Sequence, residues 1–308
     1  MSGDVRTGPV RVLTPASSAN VGPGFDSLGL ALAIHDELVA MVTEDEGVLV
    51  EVAGEGEHEV PRDDRHLVVR AMNAAFDAMD VRPSGFVLRC RNAIPHGRGL
   101  GSSAAAIIGG MVLARAMVPG ADFDDDALLA TATTMEAHPD NLAAALFGGF
   151  TVAWLADDGR PGAVRLTPHA AIRAVVVVPT QTLATVKARE VLPASVPHVD
   201  ASHNAARSAL LVHAMTARPD LLWEATSDRL HQQARSSVYP DSVDLMSRLR
   251  EAGYAAAISG AGPSVVVLSD SPDIEARVRE AVGDNSDWGV REIDISAVGA
   301  HESPLNVP

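Results

Sequence analysis

From residue 95 to 105 the chain reads Pro95-His96-Gly97-Arg98-Gly99-Leu100-Gly101-Ser102-Ser103-Ala104-Ala105, and the flanks of this segment restrict what it can fold into. Upstream, Phe86–Arg91 alternates as a strand does. Downstream, Ser102–Met117 is a helix-length apolar run rich in Ala, Ile and Leu. Three glycines within five residues let the backbone turn sharply and bring its N–H groups against a ligand. Ser102 and Ser103 add hydroxyls where the helix starts, and the positive end of the helix dipole points at the same place. Strand, glycine turn and helix start together make an anion site. A structural turn with a serine cap is the alternative that the loop alone leaves open.

If that anion is a nucleotide phosphate, lysine has little part in holding it. Lys187 is the only lysine among 24 basic residues, so neither a loop ending in Gly-Lys-Ser/Thr nor a protein-kinase strand lysine in its usual setting is present. Backbone amides, arginine and a metal are left to do the phosphate work. The formal net charge of −16 repels polyanions, which argues against nucleic acid as a partner. No apolar run approaches the ~18 residues of a membrane span, and Met1–Pro9 carries no targeting pattern. The expectation is a cytoplasmic protein with no membrane partner. The single cysteine, Cys90, has no internal disulfide partner and reads as a buried strand residue.

The rest of the chain predicts α+β architecture. Strands are expected at Val10–Ala16, Leu28–Thr43 (one long strand or a hairpin), Val48–Ala53, Phe150–Leu155 and Ile172–Val178, and later at Ala255–Ser259, Val265–Leu268 and Val290–Ala297. Helices are expected at Arg65–Met79, after the acidic opening Asp124-Asp125-Asp126, from Pro139 to Phe147, near Ala201–Ala217, Leu221–Ser236 and Ser242–Ala252, and at Pro272–Val282. The polar turn Asp157–Gly162 suggests a domain boundary, giving domains 1–160 and 161–308. The tail His301–Pro308 reads as frayed.

The segment Pro-x-Gly-x-Gly-Leu-Gly-Ser-Ser-Ala-Ala resembles the central motif of the GHMP kinases. Two further motifs of that family occur in order: Pro15-Ala16-Ser17-Ser18-Ala19-Asn20-Val21-Gly22-Pro23-Gly24-Phe25-Asp26-Ser27-Leu28-Gly29, and Ile258-Ser259-Gly260-Ala261-Gly262-Pro263-Ser264. The resemblance implies a two-domain GHMP kinase fold, with an N-terminal domain like ribosomal protein S5 domain 2, a ferredoxin-like C-terminal domain and the active site in the cleft between them. It also implies ATP and Mg²⁺ as cofactors and a homodimer as the assembly. Within the family, the first motif and His138-Pro139-Asp140-Asn141 are most similar to members that phosphorylate L-homoserine, which feeds threonine synthesis. Other family members act on isoprenoid or sugar alcohols, and a silent relative would only bind a ligand.

On this resemblance Pro95–Ala105 cradles ATP, and Arg65–Val69 lines the nucleoside. An ammonium calls for a carboxylate and amide oxygens, which Asp26 and Asn20 supply; a carboxylate calls for guanidinium forks, which Arg189 and Arg235 supply. His138 and the Gly260 turn complete the acceptor pocket. Glu136 and Ser103 match the metal ligands, although only Ala137 separates Glu136 from His138, a shorter spacing than in many relatives. Asp140 and Asn141 position the acceptor, and Asp140 resembles the base of some relatives; whether a general base exists stays open. Each residue also has a plain alternative: Asn20 and Asp26 as turn caps, the two arginines as surface ion pairs, His138 as a structural residue and Glu136 as an exposed helix residue.

Overall fold

A computed structural model describes residues 5–182, 185–284 and 286–305. Along the chain run β1 (Val10–Asn20), β2 (Gly24–Thr43), β3 (Gly47–Gly54), α1 (Leu67–Ala78), β4 (Gly85–Asn92), α2 (Ser102–Met117), α3 (Asp125–Met135), α4 (Pro139–Phe147), β5 (Phe150–Leu155) and β6 (Pro161–Leu166). There follow β7 (Arg173–Pro179), α5 (Thr185–Glu190), α6 (His198–Thr216), α7 (Leu222–Ala225), α8 (Pro240–Glu251), β8 (Ala255–Ile258), β9 (Val265–Ser269), α9 (Ile274–Val282), β10 (Trp288–Ile293) and β11 (His301–Glu302).

The first sheet is ordered β11-β1-β2-β4-β3, with β5 and β6 branching from β2. Only β3 and β4 run parallel in it. The stretch Leu28–Thr43 is part of one unbroken strand, not a hairpin. The strand bulges opposite Pro15: Pro15↔His35 is followed by Ala16↔Leu32, so Ala33 and Ile34 of β2 are extra residues at the point where Pro15 has no N–H for the ladder. Helices α1 to α4 cover one face of this sheet, burying Leu38, Leu88, Met72, Ile108 and Leu128.

The second sheet, β10-β7-β9-β8, is antiparallel throughout. Three of its strands, β7, β8 and β9, are almost continuously apolar because both faces are covered, whereas β10 at the edge carries Arg291 and Glu292. Ala174, Val176 and Val266 point into a core shared with Leu30, Phe150 and Leu211. Val175, Val177, Val265 and Val267 point the other way, onto Leu245 and Val278 of α8 and α9. The shared core locks the two sheets together and sets the cleft between them. Each buried Val or Leu contributes about 1.5–3 kcal/mol.

Three expectations need correction. The Asp157–Gly162 turn, expected to divide the domains at residue 160, is a hairpin inside the first sheet: β6 pairs with β5 from Phe150↔Leu166 to Leu155↔Pro161. The chain changes sheets between Leu166 and Arg173. The tail returns to the first sheet, where Leu13 pairs with His301, while residues 306–308 lie outside the described residues. The single helix expected over Leu221–Ser236 is interrupted. The Asp228 carboxylate accepts the backbone N–H groups of Leu230, His231 and Gln232 at 3.1, 3.0 and 2.9 Å, an alternative to the helical ladder. Among the described residues no helix is long and apolar enough to cross a membrane.

Candidate active site

The three motifs meet in one place and are tied together by backbone. Ser17 N donates to Leu100 O (3.0 Å), Gly260 N to Ala19 O (3.0 Å), and Ser264 N to Arg98 O (3.3 Å). The Ser259 hydroxyl donates to Gly99 O at 2.7 Å and lies 2.9 Å from the Ser18 hydroxyl. Such packing leaves no room for a side chain at Gly99 or Gly101. A Cβ on Gly99 would stand 2.3 Å from Ser259 O, and one on Gly101 would stand 2.0 Å from Ser17 Oγ. Both glycines are in the left-handed region, with φ of 71° and 70°. Gly101 is also the N-cap of α2 and makes no side-chain cap, so the helix presents its first amides to the cleft without a side-chain oxygen in front of them.

The loop, Asn20, Glu136, His138, Asp140, Asn141, Arg189, Arg235 and Gly260 line one pocket of about 90 Å³. Glu136, at the C-cap of α3, has its carboxyl pushed up by burial, opposed by a hydrogen bond from Ser103 and by the Arg189 charge. Asp140, in the first turn of α4, is buried. Its Oδ1 accepts Asn141 N at 2.7 Å. Burial, reinforced by Asp26 and Glu136, pushes its carboxyl up to about 7 against that hydrogen bond and Arg189. Asn141 in turn accepts the Ser17 hydroxyl at 2.8 Å, fixing its amide beneath the loop. The His138 imidazole is held below its ordinary value, first by burial and then by Arg189, against Asp26.

Opposite these carboxyls stands a cationic wall. Arg189 from α5 pairs with Asp26 through Nη2–Oδ1 (2.5 Å) and Nη1–Oδ2 (3.3 Å). Asp26 is placed for this by a strained loop in which Asn20, Val21 and Asp26 all have positive φ. Asn20 braces that loop: its Oδ1 accepts Asp26 N at 3.0 Å while its Nδ2 donates to Gly260 O at 2.9 Å. Arg235 is 1% exposed, with Nε donating to Ala188 O (3.2 Å) and Nη1 to Gly260 O (3.1 Å).

Beside the pocket, and sharing Ser102 and Ser103 with it, lies a more apolar cavity of about 300 Å³. Of the segment expected to line a nucleoside, Arg65, His66, Leu67 and Val68 line it and Val69 does not; His96 and Ala105 join them from the loop segment. Asp36 lines it as well. Its carboxylate accepts Ala93 N and Ile94 N at 2.7 and 3.0 Å, and burial pushes it up to about 6 against those bonds.

Not every expected residue comes to the pocket. Pro95 and Asp26 line neither cavity, Asp26 reaching the pocket only through its pairing with Arg189. Arg98 turns away to the end of β7, donating to Pro179 O (2.9 Å), Thr180 O (3.0 Å) and His96 O (3.1 Å). The ion pair of Asp26 with Arg189 joins two residues expected to take opposite charges of one ligand. Ser17, Ser259, Phe25 and His231 join the site without being among the residues expected from the sequence. The first three stand inside the quoted motifs, whereas His231 is marked only by its spacing, Asp228-x-x-His231-x-x-x-Arg235. Among the described residues no group of three or more His, Cys, Asp or Glu converges as a metal cage.

Two family models match the chain, GHMP kinases N terminal domain over residues 66–149 and GHMP kinases C terminal over residues 206–286. A homoserine kinase of Streptomyces avermitilis is 49% identical over 302 residues, covering 97% of each chain. One of Corynebacterium urealyticum is 46% identical over 295 residues, covering 94% of each. The crystal structure of a homoserine kinase from Cytophaga hutchinsonii superposes with a TM-score of 0.85 at 25% identity, over 98% of this chain and 100% of that one. The two models contain the central and the last motif in chain order, and the likeness to these relatives runs nearly end to end: this chain belongs to the GHMP kinase family.

Proposed function

We infer that this chain is a homoserine kinase, an ATP-dependent phosphotransferase that moves the γ-phosphoryl group of ATP to the hydroxyl of L-homoserine, giving O-phospho-L-homoserine for threonine biosynthesis. Near-half identity to relatives of that name over 97% of the chain supports the activity. The observation that carries the acceptor is the charge make-up of one wall: Arg189 and the buried Arg235 line the pocket, and Asp26, which does not line it, pairs with Arg189. A zwitterion matches that wall: Asp26 for the ammonium, Arg189 and Arg235 for the carboxylate, the two ends of the ligand replacing the ion pair. An isoprenoid or sugar alcohol has no ammonium to balance Asp26.

The acceptor hydroxyl then belongs on the side of Asp140 and Asn141, facing the phosphate loop. Backbone amides from Gly97 to Ser103 and the start of α2 take the triphosphate, and the neighbouring cavity takes the adenosine. The donor set fits Mg²⁺, since a hard cation that keeps its waters needs few protein oxygens, and Glu136 stands beside the Ser103 hydroxyl in a half-buried position. Bound there with ATP, the ion supplies charge neutralisation for the departing phosphates. Asp140, pushed up to about 7, is suited to receive the hydroxyl proton at neutral pH.

The test is ADP release from purified protein with Mg-ATP and L-homoserine, mevalonate, phosphomevalonate or galactose. Homoserine-dependent turnover above the ATPase background is expected, and its absence overturns the reading.

A further inference from the structure

Arg235 is a demanding residue to bury, and the way it is held is specific. Its Nη1 donates to Nδ1 of His231, four residues earlier in sequence, at 2.8 Å. The same imidazole places Nε2 2.7 Å from the carbonyl oxygen of Gly22, in the loop that leads to Asp26. A guanidinium can only donate and a carbonyl can only accept, so one tautomer satisfies both contacts: neutral imidazole, bare at Nδ1 and protonated at Nε2. His231 is 1% exposed, and burial, helped by Arg235 and opposed by Asp228, holds its ring below the ordinary value, which keeps that neutral form at pH 7. Asp228 fixes the backbone beneath it by accepting His231 N at 3.0 Å.

The ring also has a face to offer. Phe25 packs against His231 with centroids 5.1 Å apart. The guanidinium carbons of Arg189 and Arg235 lie 5.5 and 5.9 Å from the centroid of the same Phe25 ring. Phe25 immediately precedes Asp26. The imidazole thus joins the buried arginine of the carboxylate end to the loop that carries the carboxylate of the ammonium end.

We propose that His231 is a positioning residue for the acceptor: its Nδ1 orients Arg235 toward the substrate carboxylate, and its Nε2–H sets the Gly22–Asp26 loop at the matching distance. This rests on the reading of the pocket as a homoserine site. The two contacts are separable by substitution. The Asn amide oxygen falls near Nδ1 and keeps an acceptor for Arg235. The Gln amide nitrogen falls near Nε2 and keeps only the donor to Gly22.

H231N and H231Q are assayed for KM of L-homoserine, KM of ATP and kcat. H231Q is expected to raise the homoserine KM roughly ten- to hundredfold, as for one lost hydrogen bond to a charged group, with the ATP KM near wild type. H231N is expected to recover most of that loss. Equal homoserine KM in the two variants, an equal rise in the ATP KM, or failure of both variants to fold would make His231 a structural residue and overturn the proposal. Wild-type protein without homoserine-dependent turnover would remove the acceptor reading and this proposal with it. Wild-type turnover with an unchanged homoserine KM in H231Q would remove the proposal alone.

Discussion

Arg189 closes on Asp26 from the opposite side of the cleft, its Nη2 2.5 Å from Oδ1 and its Nη1 3.3 Å from Oδ2. The two side chains are 30% and 31% exposed, so the pair contributes at most about 1 kcal/mol to stability. Its value lies in function, because a zwitterion entering the pocket exchanges one ion pair for two. D26N and R189K should therefore unfold at nearly the wild-type urea concentration. Each should raise the homoserine KM by roughly tenfold or more while leaving the ATP KM in place. A parallel rise in both constants would mean that the pair only holds the cleft together.

Asp140 links pH to both stability and rate. Its carboxyl titrates near 7 in the folded chain, against an ordinary value of 3.8. Below about pH 4 both folded and unfolded chains hold the proton and the group is neutral in the balance. Between about 4 and 7 the folded chain binds more protons than the unfolded one, so stability falls as pH rises, and the penalty is complete above 7. D140N should remove it, gaining on the order of 2–4 kcal/mol at pH 8 and little at pH 4.5, measured by urea unfolding at the two pH values. If the ionised carboxylate receives the hydroxyl proton, wild-type kcat/KM should rise through pH 7 and D140N should lose 10²–10⁴-fold.

Arg98 sits within the loop yet spends three nitrogens on carbonyls of Pro179, Thr180 and His96. It acts as a strap between the loop and the second sheet. Only a planar fork makes all three bonds, so R98K and R98M should lose alike. The expected loss is about tenfold in the ATP KM, or ~1.4 kcal/mol, with the homoserine KM close to wild type. A direct phosphate ligand would behave differently, R98K keeping much of the binding as a point charge.

Much of this was legible in the sequence, for local reasons. Glycines whose φ must be positive, a helix start without a cap and alternating strands are written residue by residue, and so the loop, β4 and α2 fall where the pattern puts them. What the sequence leaves undisclosed depends on partners that only the fold brings together. The helix expected through Leu221–Ser236 fails because Asp228 gathers three backbone N–H groups and the Asn204 amide from α6. The boundary at Asp157–Gly162 fails because β6 finds β5 beyond the turn. The direction of Arg98 depends on where β7 ends, which no property of the loop records. His231 is inconspicuous in the sequence for the same reason: its partners are Gly22, 209 positions earlier, and Arg235.

Gly101 tests how tightly the loop is set. At φ 70° with the Ser17 hydroxyl 2.0 Å from the position of a Cβ, alanine is strained twice, by backbone and by contact. G101A should lose about 2–4 kcal/mol in urea unfolding. Because Ser17 also holds Asn141, the survivor should lose ATP binding and acceptor positioning together. S17A combined with G101A should return part of the stability, since it removes the atom the methyl group meets.

Glu136 tests the metal site independently of the acceptor. In the protein alone its carboxyl is pushed up by burial, with Ser103 and Arg189 opposing. A group in that state gains most from a cation, and the Ser103 hydroxyl offers a second oxygen. Glutamine keeps the shape and loses the charge. In E136Q the Mg²⁺ concentration for half-maximal rate at saturating ATP should rise by at least about tenfold. Stability should move the other way. A carboxyl raised in the folded chain weakens it once pH exceeds the unfolded value, so E136Q without metal should be no less stable than wild type at pH 8. Added Mg-ATP should then raise the melting temperature of the wild type more than that of the variant. An unchanged Mg²⁺ requirement together with lower stability would make Glu136 a structural helix cap and send the search for the metal carboxylate to Asp140.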